Sequence, residues 1–214
     1  MNIDKEELGE TRVMEQLTDD TTPSQDLKSD TEPKKKKPEE NGVLSFFKDI
    51  LISFLIVFVL VNFIVRPIQV KGRSMYNTLE DGYFGFSNLI GYRLGGLKRF
   101  DIVIVYLPEK DEYIIKRVIG MPGETVEYHN NQLFINGEQM DEPFLDQSYV
   151  DSYDGQFTGD FTSEKLGDDE YFCMGDNRPH SSDSRFYGAF KKKNIMSKGA
   201  FIIYPFNGFG VYTW

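Results

Sequence analysis

The chain has 214 residues, 24 of them Lys or Arg and 34 Asp or Glu, for a formal net charge of -10. That length suits one ordinary domain with additions, and the acidity argues against nucleic acid as a partner, because a DNA or RNA binder needs a basic surface to displace counterions. With Cys173 as the only cysteine and His129 and His180 as the only histidines, no internal disulfide and no zinc cluster is possible, no cofactor is expected, and a Ser-His-Asp triad has few candidates.

Residues 1–42 hold no Phe, Trp or Tyr and are rich in Glu, Asp, Thr, Lys and Pro. Such a segment cannot bury enough apolar area to offset ordering, so a disordered acidic tail is expected. It ends in KKKKPEENG, with four lysines at 34–37. The run VLSFFKDILISFLIVFVLVNFIVRP follows, and between Ile50 and Val65 only Ser53 and Asn62 interrupt it. With Leu44, Phe46 and Phe47 it reaches the roughly 20 residues that cross hydrocarbon, so a transmembrane helix is expected over 43–65. The preceding tail is too long for the n-region of a cleaved signal peptide, and Arg66-Pro67-Ile68-Gln69 offers no small-x-small site. The lysines place the tail in the cytoplasm, which puts residues 66–214 on the outer face of the membrane.

Past Ile68 the texture changes. IQVKG, FDIVIVYL, EYIIKRVIG, ETVEYH, QLFING, DEYFCMG and GAFIIYP are short β-branched and aromatic runs separated by Gly, Pro, Asn and Asp. This predicts a mainly β, antiparallel-sheet domain. VEYHNNQLFING reads as a hairpin turning at Asn130-Asn131, since Asn tolerates the left-handed conformations of tight turns. His129 beside that turn reads as a surface residue, and Cys173 as a packing cysteine.

Three stretches carry the residue types that do chemistry. VKGRSMYNTL places Ser74 between an apolar strand and an acidic turn. EYIIKRVIGMPGE places Lys116 on the same strand face as Ile114 and Val118, with Arg117, Ile115 and Ile119 on the other. A lysine on an apolar face either snorkels to water or stays in a dry site where desolvation lowers its pKa and frees the amine as a base. In the second case it takes the proton of a serine hydroxyl with no histidine needed. GDNRPHSSDSRFYG (175–188) is either a polar surface loop or a set of side chains that orient catalytic groups.

GRSMYNTL, FDIVIVYL, KRVIGMPGE and GDNRPHSSDSRFYG, in this order behind an N-terminal anchor, resemble bacterial type I signal peptidases. The resemblance covers residues 43 to the end. It implies that Ser74 is the nucleophile and Lys116 the general base, that Ser181 helps hold the lysine, and that Asp183 and Arg185 form a supporting ion pair. Asp176, Asn177 and Arg178 match positions read as structural. It further implies a β-rich catalytic domain, a lipid bilayer around the anchor, and signal-peptide-bearing preproteins as substrates, cut after a small-x-small pattern. Shallow pockets admitting Ala are expected from Ile68, Val70, Met75, Leu79, Ile104 and Ile115.

The chain departs from the family pattern at three places. Asn77 stands where proline is usual, which predicts a looser loop. Phe100 stands where many members have glycine. Gly72 stands where some members have a serine that helps the oxyanion hole, which would then rest on the Ser74 backbone N–H. Two other readings compete: an inactive peptidase-like chaperone for surface fibres, which is expected to lack the serine or the lysine, and a self-cleaving repressor protease, which wants a DNA-binding N-terminus.

Overall fold

The computed structural model describes residues 42–213. The expected acidic tail therefore lies outside the described residues. Helix α1 (Gly42–Val59) continues as a π-helical turn (Leu60–Ile64), 23 residues in all, with no side chain buried. At 1.5 Å per residue this spans roughly 35 Å, enough for a bilayer core. A helix this apolar with no buried side chain calls for a non-aqueous surrounding. Asn62, a polar interruption of the run, donates its side-chain amide to the Phe58 carbonyl at 2.8 Å and so makes its own local bond.

Val65 ends the helix by turning to extended backbone. The strands that follow are β1 (Val65–Gln69), β2 (Phe84–Asn88), β3 (Ile102–Leu107), β4 (Glu112–Gly120), β5 (Val126–His129), β6 (Gln132–Ile135), β7 (Glu138–Met140), β8 (Phe161–Thr162), β9 (Glu170–Met174), β10 (Phe190–Lys191), β11 (Ile195–Tyr204) and β12 (Gly210–Tyr212). Short helices α2 (Leu89–Gly95), α3 (Gln147–Asp151) and α4 (Ser184–Tyr187) lie between them. The described strands make two antiparallel sheets, one in the order β1-β2-β11-β3-β4-β9-β10 with β12 on β11, the other β7-β6-β5-β8.

The predicted mainly β fold follows from period-2 patterning. β5 and β6 alternate buried and open positions, as a strand with one wet face does. Their turn is at Asn130 and Asn131, with φ of 52° and 65°. Central β3 is buried on both faces: Ile102 and Ile104 join a cluster with Met75, Leu79 and Ile202, while Val103 and Val105 join one with Val118, Cys173 and Ile195. A third cluster, around Tyr128, Leu133 and Met174, ties the small sheet to β9. β4 is the strand that matters most here. β3 pairs along Glu112–Arg117, but β9 pairs only from Arg117 onward, so residues 112–116 keep one edge unpaired.

Candidate active site

Ser74 lies in the loop from β1 to β2, whose ends are pinned together. Val70 donates to the Tyr83 carbonyl at 2.8 Å, Gly82 returns a bond to the Val70 carbonyl at 3.0 Å, and the Gly72 N–H is taken by Asp81 at 2.7 Å. Met75 and Leu79 sink into the core on either side of a short helical turn, which leaves Ser74 facing the open edge of β4.

Lys116 comes from that edge. It pairs with Val103 in register and shares its face with the Val103, Val105, Ile114 and Val118 cluster, the apolar face its spacing predicted. Its side chain is 2% exposed, and Nζ stands 2.8 Å from Ser74 Oγ. Desolvation lowers its pKa from 10.5 to about 8; the Asp183 and Asp176 carboxylates oppose that shift without cancelling it. Snorkelling is excluded by the burial.

Several residues of the 175–188 stretch pack around the pair. A Cβ on Gly175 would stand 2.3 Å from Ser181 Oγ and 2.4 Å from the Ser74 carbonyl, so only glycine lets this chain run so close to the serine. Asp183 accepts the Gly175 N–H at 3.0 Å and pairs with Arg185 at 2.8 Å. Burial alone would push the Asp183 carboxyl up, but Arg185 and the Gly175 N–H outweigh it and hold it below its usual value. Ser181 Oγ is buried toward Asp183 without meeting hydrogen-bond geometry to it or to any other described group.

Asn177 donates its backbone N–H to the Ser74 carbonyl at 3.0 Å and its side-chain amide to the Arg73 carbonyl at 2.9 Å. Arg117, fully buried, makes a two-pronged pair with Asp176 at 2.8 and 2.6 Å, and Asp176 also accepts from Thr78 Oγ1 at 2.6 Å. The loop bearing Ser74 is thus bolted to the strand bearing Lys116 through one buried ion pair.

A cleft of ≈ 470 Å³ opens beside the pair, walled by residues 66–71, 74, 75, 104 and 111–116. Ile68, Val70, Met75, Ile104 and Ile115 line it. Leu79 does not: it is completely buried in the cluster beneath the cleft wall, because the helical turn after Ser74 points it inward. Gly72 lies at the bend of the same loop. It is exposed, has φ +81°, and its N–H is already committed to Asp81, so it shapes the loop and offers no donor.

Residues 43–204 match the family described as Signal peptidase, peptidase S26. Signal peptidase IB of Staphylococcus aureus (strain COL) is 36% identical over 177 residues, 78% of this chain and 92% of that protein. Signal peptidase I S of Bacillus subtilis (strain 168) is 41% identical over 186 residues, 85% and 97% of the two chains. The chain belongs to the signal peptidase family. A crystal structure of a signal peptidase I from Enterococcus faecalis V583 is 37% identical, covers 48% of this chain and 95% of that one, and superposes with a TM-score of 0.45.

As a signal peptidase the chain is a hydrolase that removes signal peptides, and the fibre-assembly chaperone is not favoured. Signal peptidases of this family are membrane-anchored, which α1 fits. The peptide from Tyr76 to Asn77 is cis, and Asn77 donates its side-chain amide to Asp146 at 2.7 Å, across to the start of α3. Phe100 does sit where glycine is suited, at φ +69°. The strain is offset by its ring against Phe144 at 5.0 Å, its N–H to the Val118 carbonyl at 2.7 Å and its carbonyl on Arg117 at 2.8 Å.

Sequence reasoning missed the contacts made by Arg117, Thr78 and Asp146. Arg117 was the findable one: an arginine inside an apolar strand has to meet a carboxylate, and the 175–188 stretch opens with one.

Proposed function

We propose that Ser74 is the nucleophile and Lys116 the general base of this signal peptidase, and that α1 holds it in the membrane that also holds its substrates. The observation that carries the assignment is the 2.8 Å separation of Nζ from Oγ, with the amine almost fully withdrawn from water. Burial keeps a usable fraction of Lys116 neutral near physiological pH.

Neutral Nζ takes the Oγ proton as Oγ attacks the scissile carbonyl carbon. The developing oxyanion is met by the Ser74 N–H, which donates to no other group among the described residues. Collapse expels the new amino terminus of the mature protein, which takes the proton back from the Lys116 ammonium. The ester on Ser74 is then opened by water, whose proton passes to Nζ and on to the departing Oγ. Asp183 and Arg185 act on the lysine side of this arrangement through charge: the Asp183 carboxylate favours the ammonium, and Arg185 keeps that carboxylate ionised.

The substrate lies extended in the cleft, between residues 66–71 and the unpaired edge of β4, where backbone pairing fixes register and alternate side chains enter apolar recesses. Ile68, Val70, Met75, Ile104 and Ile115 leave those recesses shallow enough to favour small residues. Because β1 begins where the apolar helix ends, the cleft starts at the bilayer and leads to Ser74. This gives residues 43–65 as the span, 66–214 as the outer catalytic domain and the lysine block at 34–37 as the cytoplasmic flank. Sharing a bilayer raises the effective concentration of substrate at the site.

The test uses the full chain in detergent with a synthetic signal peptide carrying an Ala-x-Ala site. The parent protein cuts after the second Ala; Ser74→Ala and Lys116→Met do not, and both still unfold in one cooperative transition. Normal turnover by Lys116→Met refutes the role of the lysine.

A further inference from the structure

We propose that Tyr149, on α3, is a positioning residue for the nucleophile, acting through the side chain of Asn177; this rests on the reading of Ser74 as nucleophile. Asn177 is fully buried and holds the two carbonyls that flank the reactive serine, through its N–H to Ser74 at 3.0 Å and its Nδ2 to Arg73 at 2.9 Å. The second of these bonds needs the amide turned one way round. Rotated by half a turn, Asn177 would set its own carbonyl oxygen against the Arg73 carbonyl. The far side of the same amide is held by the Tyr149 hydroxyl, which donates to Asn177 Oδ1 at 3.2 Å. The Arg73 carbonyl, an acceptor only, sets which way round the amide stands, and the Tyr149 hydroxyl, donating to Oδ1 in that state, gives the amide a second anchor and limits its tilt.

Tyr149 is itself well placed to transmit this. Its ring meets Tyr76, two residues after the serine, edge-on at 5.3 Å, and is backed by Phe157 at 5.7 Å. Asp146 caps α3 by accepting the Ser148 and Tyr149 N–H groups at 2.9 and 3.3 Å, and the same carboxylate takes the Asn77 amide at 2.7 Å. One short helix thus grips the serine loop at Tyr76 and Asn77 and, through Asn177, at Arg73. Tyr149 touches neither Ser74 nor Lys116 nor the cleft.

Tyr149→Phe removes the hydroxyl and keeps the ring contacts. The expected result on the signal-peptide substrate is a fall in kcat of about five-fold, the equivalent of about 1 kcal/mol, with KM within two-fold, an unchanged pH midpoint for Lys116, and an unchanged melting temperature. In an Asn177→Ala background, Tyr149→Phe has no further effect on kcat. A kcat equal to the parent's overturns the proposal, as does a fall carried in KM, or an equal fall with and without Asn177. Ser74→Ala measured alongside separates the two readings: residual normal activity in that variant removes the nucleophile assignment itself, whereas an inactive Ser74→Ala with an unaffected Tyr149→Phe removes only the role of Tyr149.

Discussion

The pH dependence of turnover tests the dry lysine most directly. Burial lowers the Lys116 pKa from 10.5 to about 8. At pH 7 a group of pKa 8 is about 9% neutral, against about 0.03% for an ordinary lysine, so burial supplies roughly 300 times more base. Below pH 8, kcat/KM should climb about ten-fold per pH unit, bend near 8 and level off above about 9. Asp183 is the largest charge favouring the ammonium. Neutralising it in Asp183→Asn should move the bend to lower pH. The assay is initial rates on a fluorogenic signal-peptide substrate from pH 5.5 to 10. A bend at 10 or above, or a flat profile, would refute the argument. The same shift has a signature in stability. The folded pKa lies below the unfolded one, so the unfolded chain holds more protons between about pH 8 and 10.5, and this group's contribution rises with pH through that window, by up to about 3 kcal/mol. The difference in unfolding free energy between the parent and Lys116→Met should follow that curve, since other titrating groups cancel.

Arg117→Ala should lower stability by about 3–5 kcal/mol in urea unfolding, because it strands the Asp176 carboxylate at 2% exposure. Replacing both partners by Met and Leu should cost less than the single change. Leu79→Ala should cost about 2–5 kcal/mol yet leave the preference for small residues before the cut intact, since Leu79 is core. Ile115→Ala, on the cleft wall, should do the reverse: a modest loss of stability, with cleavage extended to substrates bearing Val or Leu at the small positions. Peptide sets varied at those positions measure the difference.

What the sequence by itself determined was the local physics. An apolar run over 50–65 broken only by Ser53 and Asn62 is poorly solvated by water, so its helix and its separation from the β domain are legible without coordinates. The β-branched runs in FDIVIVYL and EYIIKRVIG place β3 and β4, and put Lys116 on an apolar face, because side chains on a strand alternate by geometry alone. Asn130-Asn131 marks its hairpin because few other pairs accept two positive φ values.

Only the tertiary structure decided which side chains meet. Ser74 and Lys116 lie 42 residues apart, and Asn77 and Asp146 lie 69 apart, separations about which periodicity says nothing. Leu79 and Met75 are equally apolar in the sequence; one lines the cleft and the other lies beneath it because of a single helical turn. The lowered pKa of Lys116 is likewise a property of packing. An amine's charge is penalised only where the surrounding chain excludes water, and here that exclusion is assembled from β3, β4, β9 and the serine loop together.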